Sequence, residues 1–543
     1  MAVERSVPQP LAIIGGTVVN AEKWAKDNGA WLAKLIDGHR NYLVAAKVDT
    51  YQAAYDGFLE SVNLREKSRG DDVNHKLMPN YAQLIIDTPV DYLTGKPIIW
   101  TVYDPELPTE PKDEAEAAKE TPEVKARRAL VEAYRDDLIK ILRSEDAQRT
   151  LAEQLRQGSI ASYSGVIAWV NDKGQIDYDE YPIQELIPVY DVRGRLLMVV
   201  RQYPYEVVEE TDNGAVTLPR TRVEVYDDKY TTYYLSDETG SSYELDAEEA
   251  LTGNPIEHKA GRIPVSIFVN GTPASYATRQ KKAGVSDLGN GVLTLLENYA
   301  HLVSDKANTV DRLLDQYLLF VGCDIDEGEV KLMRKARAIS LKGDKNTADA
   351  SFIAPTQEDT AVENHAKRLK EDIHATTFTP KLDDIEGATA TEIKMKYANL
   401  DIKAGKKELY FISAVKQFVT ILTDLLNARR LVDAGVTKTW DVLTGQAKPP
   451  KSVELYNPDW VAFTFNRNLP QNHKEIADIV KLLVGVVPDA YLYELLWFID
   501  DPVAALEEMK AQKEAERADE AEMAAALGVR AMGLGADGAP FGE

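Results

Sequence analysis

A single cysteine, Cys323, stands in a chain of 543 residues, which excludes an internal disulfide framework and any multi-cysteine metal site. That scarcity fits assembly in a reducing, intracellular compartment. Positive charge is also short: 63 Lys and Arg stand against 88 Asp and Glu, a formal charge of −25. So acidic a chain is not expected to read a DNA or RNA sequence, because such readers gain affinity by neutralising phosphates with a basic face. Any contact with nucleic acid should be local or weak. No long apolar run opens the chain either. The stretch from Leu11 to Val19 contains Gly15 and Gly16 and follows Glu4 and Arg5. It is too short to cross a bilayer and wrongly flanked for a signal peptide, so no membrane partner is expected.

Catalytic motifs are missing as well. A phosphate-cradling loop must end in Gly-Lys-Ser/Thr, but Gly95-Lys96 is followed by Pro97 and Gly405-Lys406 falls inside a helical pattern. No His-Glu-x-x-His occurs, and the seven histidines are dispersed. His365 and His374 lie nine apart on one helical segment, too far for a shared metal, and read as surface or interface residues. Asp324-x-Asp326-x-Gly328 lacks the remaining acidic positions of a calcium loop, and Asp326 reads better as a helix cap. Asp383, Asp384 and Glu386 could gather a cation, but a solvated loop explains them without one. Neither an enzyme nor a cofactor is expected.

What is present is enough apolar material, 44% of residues, for a folded protein of three or four structural units. Residues 20 to 60 carry helical periodicity anchored by Trp24, Trp31, Tyr42, Tyr51 and Tyr55. A helix from Asn80 ends at Gly95-Lys96-Pro97, before a strand at Ile98 to Val102. Residues 104–126 hold eight acids and four prolines and no aromatic, which predicts a solvated insertion. A helix follows over 127–157. From 160 to 275, Tyr- and Val-rich runs are broken at Asp172-Lys173-Gly174, Arg193-Gly194, Asp212-Asn213-Gly214 and Thr239-Gly240, the pattern of antiparallel hairpins.

From Val285 apolar residues recur at alternating spacings of four and three, with Ser286 and Asp287 as candidate caps. Strands are expected near Tyr317, at Ala338 to Leu341 and at Ser351 to Ile353, then a helix ending at Thr377-Phe378-Thr379-Pro380. Thr389 and Glu392 form a capping box for a helix reaching about Leu431, a rod of roughly 60 Å. So long a rod usually crosses a whole domain or a subunit interface, and it has no evident partner of equal length in its own chain. The tail from Gly528 has five glycines in sixteen residues. One basic cluster stands out: Lys331, Arg334, Lys335, Arg337, Lys342 and Lys345, with Asp344 the only acid among them. It could meet phosphate or an acidic partner, or be a solvated helix face.

Several segments in this order carry a resemblance. Asn80-Tyr81 with Tyr92-Leu93-Thr94-Gly95-Lys96-Pro97, Gly261-Arg262-Ile263-Pro264-Val265, Phe463-Thr464-Phe465-Asn466-Arg467-Asn468-Leu469-Pro470, and Phe498-Ile499-Asp500-Asp501-Pro502 together resemble the SPP1-like portal family of tailed double-stranded DNA bacteriophages. The resemblance covers about residues 40 to 515. It implies a mainly helical α+β chain in a ring, usually of twelve subunits, built of wing, stem, clip and crown. The wing would take 1–284, including the insertion and the antiparallel part, and then 389–470. The stem helices would be 285–316 and 357–376, the clip 317–356, the crown 471–527 and a flexible tail 528–543.

Residues 377–388 would form a tunnel loop facing DNA through Lys381, Asp383, Asp384, Glu386 and Gly387. The basic cluster, Lys331 to Lys345, would lie in the clip and meet terminase, an adaptor or DNA. The implied partners are other copies of the chain, double-stranded DNA without sequence preference, terminase, capsid and scaffolding proteins and a head-to-tail adaptor. The implied location is the virion vertex, after assembly in host cytoplasm. Two competing readings are a portal-associated adaptor or minor head protein and an acidic-site hydrolase. A particle-size measurement separates them.

Overall fold

The computed structural model describes residues 29–66, 74–108, 120–191, 194–211, 214–247, 253–272, 284–314, 317–321, 349–353, 359–381, 390–450, 453–467 and 480–484, with 13, 14, 328, 331, 492, 505, 506 and 508–513. The chain divides into two units, Met1–Asn468 and Leu469–Glu543. In the second, residues 480–483 and 508–513 are helical.

The first unit mixes helices and sheets, as α+β predicts. Among the described residues up to Ala161 six helices occur: α1 (Gly29–Ala45), α2 (Val48–Tyr55), α3 (Glu60–Asn63), α4 (Tyr81–Thr94), α5 (Pro122–Leu142) and α6 (Glu145–Ala161). The single helix expected over 127–157 is two, because the Ser144 hydroxyl accepts the Ala147 N–H at 3.2 Å and starts a new helix. The acidic insertion also needs correcting at both ends. Asp104 is buried and pairs with Arg127, and residues 122–126 are the first turns of α5, capped by Thr121. Proline at the first position of a helix costs nothing, so a Pro-rich acidic segment can still nucleate one. Residues 109–119 lie outside the described residues.

The four turn signals each close a hairpin. Strands β3 (Tyr163–Val170) and β4 (Ile176–Pro182) turn at Gly174, whose φ of 74° suits glycine, and join β11 (Val265–Val269) in a three-stranded antiparallel sheet. The larger sheet runs β5 (Leu186–Asp191), β6 (Leu196–Thr211), β7 (Gly214–Tyr226) and β8 (Tyr230–Ser236). It also takes in β9 (Tyr243–Leu245), β10 (Ile256–Glu257) and a parallel edge strand, β1 (Ile13–Ile14). A separate pair joins β2 (Ile99–Val102) to β14 (Val461–Thr464). Alternation puts Val200, Val223 and Val225 on the large sheet's inner face, where Leu32, Leu35 and Ile36 of α1 cover them.

His39 of α1 is buried against that layer and donates through Nε2 to the Ile183 carbonyl at 2.8 Å, while Nδ1 has no hydrogen-bond partner. Burial pulls its pKa from 6.5 down to about 4 against the pull of that hydrogen bond. The unfolded chain takes up a proton near pH 6.5 and the folded one resists until about 4. Stability is therefore full above pH 6.5, falls through that window by about 3 kcal/mol, and is flat below it. Urea midpoints measured from pH 7 to 4 should show this loss, and His39→Gln should flatten the slope between pH 6.5 and 4. An unchanged slope in the variant would remove His39 from the account.

After β11 come α7 (Val292–Leu314), the hairpin β12 (Tyr317–Val321) and β13 (Asp349–Ile353), α8 (Asp359–Thr377), α9 (Ala390–Asp433) and α10 (Thr439–Leu443). Helix α7 starts later than Val285 because Asn290 and Gly291 take φ of 53° and 89°, which no right-handed helix admits. Ser286 and Asp287 are therefore not its caps. The strand expected at 338–341 and the Thr389 capping box lie outside the described residues or their described side chains.

Helix α9 has 44 residues, roughly 65 Å of rod. Among the described residues no helix of equal length packs on it, but shorter elements of its own chain do. Leu400, Ala404, Phe411, Ala414, Val415, Phe418, Leu422 and Leu425 are buried, and the helix packs on β11, β3, α4 and α5. By length and composition residues 395–433 could cross a bilayer, but 61% of the most apolar window is buried inside the chain, the mark of a core helix.

Candidate functional site at the helix junction

Helices α7 and α8 pack side by side, with Lys306 of one paired to Glu363 of the other. Residues 74–78 brace α7: the Asn308 side chain accepts the His75 N–H at 2.8 Å, and the Ser304 hydroxyl accepts the Leu77 N–H at 2.9 Å. Tyr81 meets Tyr299 and His374 edge-on, at ring distances of 5.4 and 6.1 Å, tying α4 to both helices. His374 is thus buried rather than a surface residue, and its Nδ1 donates to the Thr379 carbonyl at 3.1 Å. His365 is exposed.

That last bond belongs to a turn that fixes the root of the segment leading to α9. Phe378 takes φ of 58°, the Thr379 N–H bonds back to the His374 carbonyl at 3.2 Å, and the Thr377 and Thr379 hydroxyls lie 2.9 Å apart. Lys381 pairs with Glu371 at 3.4 Å. Of the five residues assigned to the loop only Lys381 is described. Asp383, Asp384, Glu386 and Gly387 lie outside the described residues, as do Arg334, Lys335, Arg337, Lys342 and Lys345 of the basic cluster. Lys331 is exposed.

A buried ion cluster forms around Asp287, which the sequence offers only as a helix cap. Asp287, in the turn before α7, is enclosed by Lys407 Nζ at 3.0 Å and Lys403 Nζ at 3.2 Å, both from α9. Asn270 donates to its other oxygen at 3.0 Å, and its backbone N–H donates to the Ser159 carbonyl of α6 at 3.0 Å. Lys407 also donates to the Ser159 hydroxyl at 2.7 Å and the Asn270 side-chain oxygen at 3.1 Å. Burial alone would push the Asp287 carboxyl up, but the two lysines outweigh it and hold it far below the usual carboxylate range. Burial dominates at Lys407 and pulls it down to about 8, against the attraction of Asp287. This cluster locks α6, β11, the start of α7 and the middle of α9 together. Beside it a cavity of ≈ 480 Å³ opens, lined by Asn290, Thr377, Phe378, Ile402 and Lys406 among others.

The segments behind the family resemblance converge on α9. The Tyr92 hydroxyl donates to Asp401 at 3.1 Å, Arg262 reaches Asp424 at 2.5 Å, and Arg467 reaches Glu408 at 2.5 Å and Asp401 at 3.7 Å while covering the Tyr92 ring. Asn80 accepts the Gln83 N–H and caps α4. Residues 498–502 lie outside the described residues. Among the described residues no group of three His, Cys, Asp or Glu side chains could hold a metal.

Ion pairs that fasten one long helix, a braced helix pair and an anchored turn make a stiff frame within the chain. A family model described as "Phage portal protein, SPP1 Gp6-like" matches residues 36–519. The chain belongs to that family of phage portal proteins, a structural, non-enzymatic family of head-to-tail connectors in the virion. The portal protein of Bacillus phage SPP1 is 23% identical over 504 residues, covering 86% of this chain and 82% of that protein.

Proposed function

We propose that the chain forms a closed ring at one capsid vertex, through which double-stranded DNA is packaged and later released, and which meets terminase first and head-to-tail adaptors afterwards. The family match over residues 36–519 carries this reading. In it α7, and α8 up to its last residue Thr377, fall in the stem pair 285–316 and 357–376. The clip is 317–356, the tunnel loop 377–388, the wing 1–284 with 389–470, and the crown 471–527. A conduit for a polyanion should not grip phosphate, since each neutralised phosphate adds a counterion-release term that acts as friction. A chain of charge −25, repeated around a ring, supplies a repellent lining. Negative-stain images and native mass spectra of the purified protein should show large rings with a central hole. Only monomers or dimers at micromolar concentration would end this proposal.

Two charge changes test the regional assignments. The loop carries Asp383, Asp384 and Glu386 against Lys381, so replacing the three acids by lysine should leave rings intact and slow DNA packaging, with the defect easing as salt rises. Packaging at the normal rate would take the loop off the DNA path. Arg334→Glu with Lys335→Glu should likewise preserve rings and block terminase or adaptor attachment. Dissolved rings would make the cluster a subunit contact instead.

A further inference from the structure

The hairpin of β6 and β7 runs beyond the sheet that holds it. Strand β5 pairs with β6 only over Leu196–Arg201, and β8 pairs with β7 only over Arg222–Tyr226. From Tyr203 to Thr211, and back from Gly214 to Thr221, the two strands pair with each other alone among the described residues. This ribbon extends roughly 26 Å at the usual rise per residue. A two-stranded ribbon in water is marginally stable, so one kept this long needs a surface to lie on. Val208 is 63% exposed on it. Pro204 and Pro219 cannot donate to a ladder and interrupt one edge each near the base of the ribbon. Docking by a face is thereby favoured over strand addition.

A matching surface exists on α9. Met395, Ile402 and Leu409 recur every seven residues and are 72, 65 and 69% exposed, an apolar stripe on a helix whose other faces are buried in its own core. Lys406 and Lys416 are exposed along the same stripe. Next to it a groove of ≈ 820 Å³ is walled by Ile263, Val265, Val269 and Leu409. The charges complement one another. Between residues 203 and 221 the ribbon has Glu206, Glu209 and Glu210 in its strands against one base, Arg220, which pairs with Glu238 at 3.6 Å.

We infer that the β6–β7 ribbon is an arm that lies across a second copy of this chain, against the apolar and basic stripe of that copy's α9. Arm and stripe are different patches, so the contact is heterologous and repeats from copy to copy, the kind of contact that closes rings. The inference rests on the ring reading above and names the contact that links its subunits.

Oxidative crosslinking tests it, in a Cys323→Ser background. Ring formation is first established for that background by native mass spectrometry. Val208→Cys is then combined with Ile402→Cys, and separately with Leu409→Cys, two positions about 10.5 Å apart along the helix, so that a small error in register does not decide the result. The expected result is a non-reducing ladder of covalent dimers, trimers and higher species from at least one pair, lost on reduction. Mixing the Val208→Cys single variant with the matching helix single variant should give dimers only. Rings that form normally with no ladder, or a crosslink confined to the monomer band, would overturn the arm contact and leave the ring reading standing. A background protein that forms no ring would remove both.

Discussion

Replacing Asp287 by alanine is expected to destabilise the protein by about 3–5 kcal/mol, because it leaves two lysines facing each other in a buried site. Lys407 has 5% of its side chain exposed and Lys403 14%, so the charges left behind stay largely out of water. The combined replacement Asp287→Leu, Lys403→Met and Lys407→Met should cost much less, since removing every member of a buried ion cluster often comes near neutral. Denaturant midpoints of the two variants against the parent measure this. A loss under about 1 kcal/mol in the single variant would show that Asn270 and Ser159 suffice to solvate the lysines.

The second large effect is steric. A Cβ at Gly284 would lie 2.0 Å from the Ser162 carbonyl oxygen and 3.0 Å from the Asn270 nitrogen, the two atoms that bond to each other at 2.8 Å. Both are backbone, so no rotamer relieves the clash. Gly284→Ala should cost at least about 3 kcal/mol, the upper end of ordinary overpacking, and should loosen Asn270 and with it the Asp287 cluster. Gly38→Ala is the control of opposite sign. It sits in α1 with nothing within 4 Å of the new Cβ and should gain about 0.5–1 kcal/mol. Equal stability of the Gly284 variant and the parent would mean that the segment around 284 moves freely, against this account.

Hairpins and helix ends were legible because they are local. Gly174, Gly194 and Gly240 mark turns by backbone permission alone, and the ends of α8 and α9 fall within two residues of expectation. Two features escaped because they depend on distant partners. Asp287 looks like a helix cap until Asn290 and Gly291 are seen to break the helix after it, and nothing in its neighbourhood announces Lys403 and Lys407, more than a hundred residues on. Asp104 looks solvated until Arg127 closes over it. The resemblance was legible as a string of motifs, yet what Tyr92, Arg262 and Arg467 have in common is visible only in three dimensions, where all three grip α9.

Helix α9 contains no proline and one glycine, Gly405. In a rod of this length that residue is the natural place to buckle, since glycine gains more freedom than any other residue when a helix yields. Lys403 and Lys407, two residues to either side, are both fastened to Asp287, and Arg467 passes 3.8 Å from where a Gly405 Cβ would be. The soft point is splinted. A load arriving at the α9 end nearest residues 382–389 is thus not absorbed by bending but carried along the shaft to β11 and β3, so that α9 works as a strut and the sheet behind it as its footing.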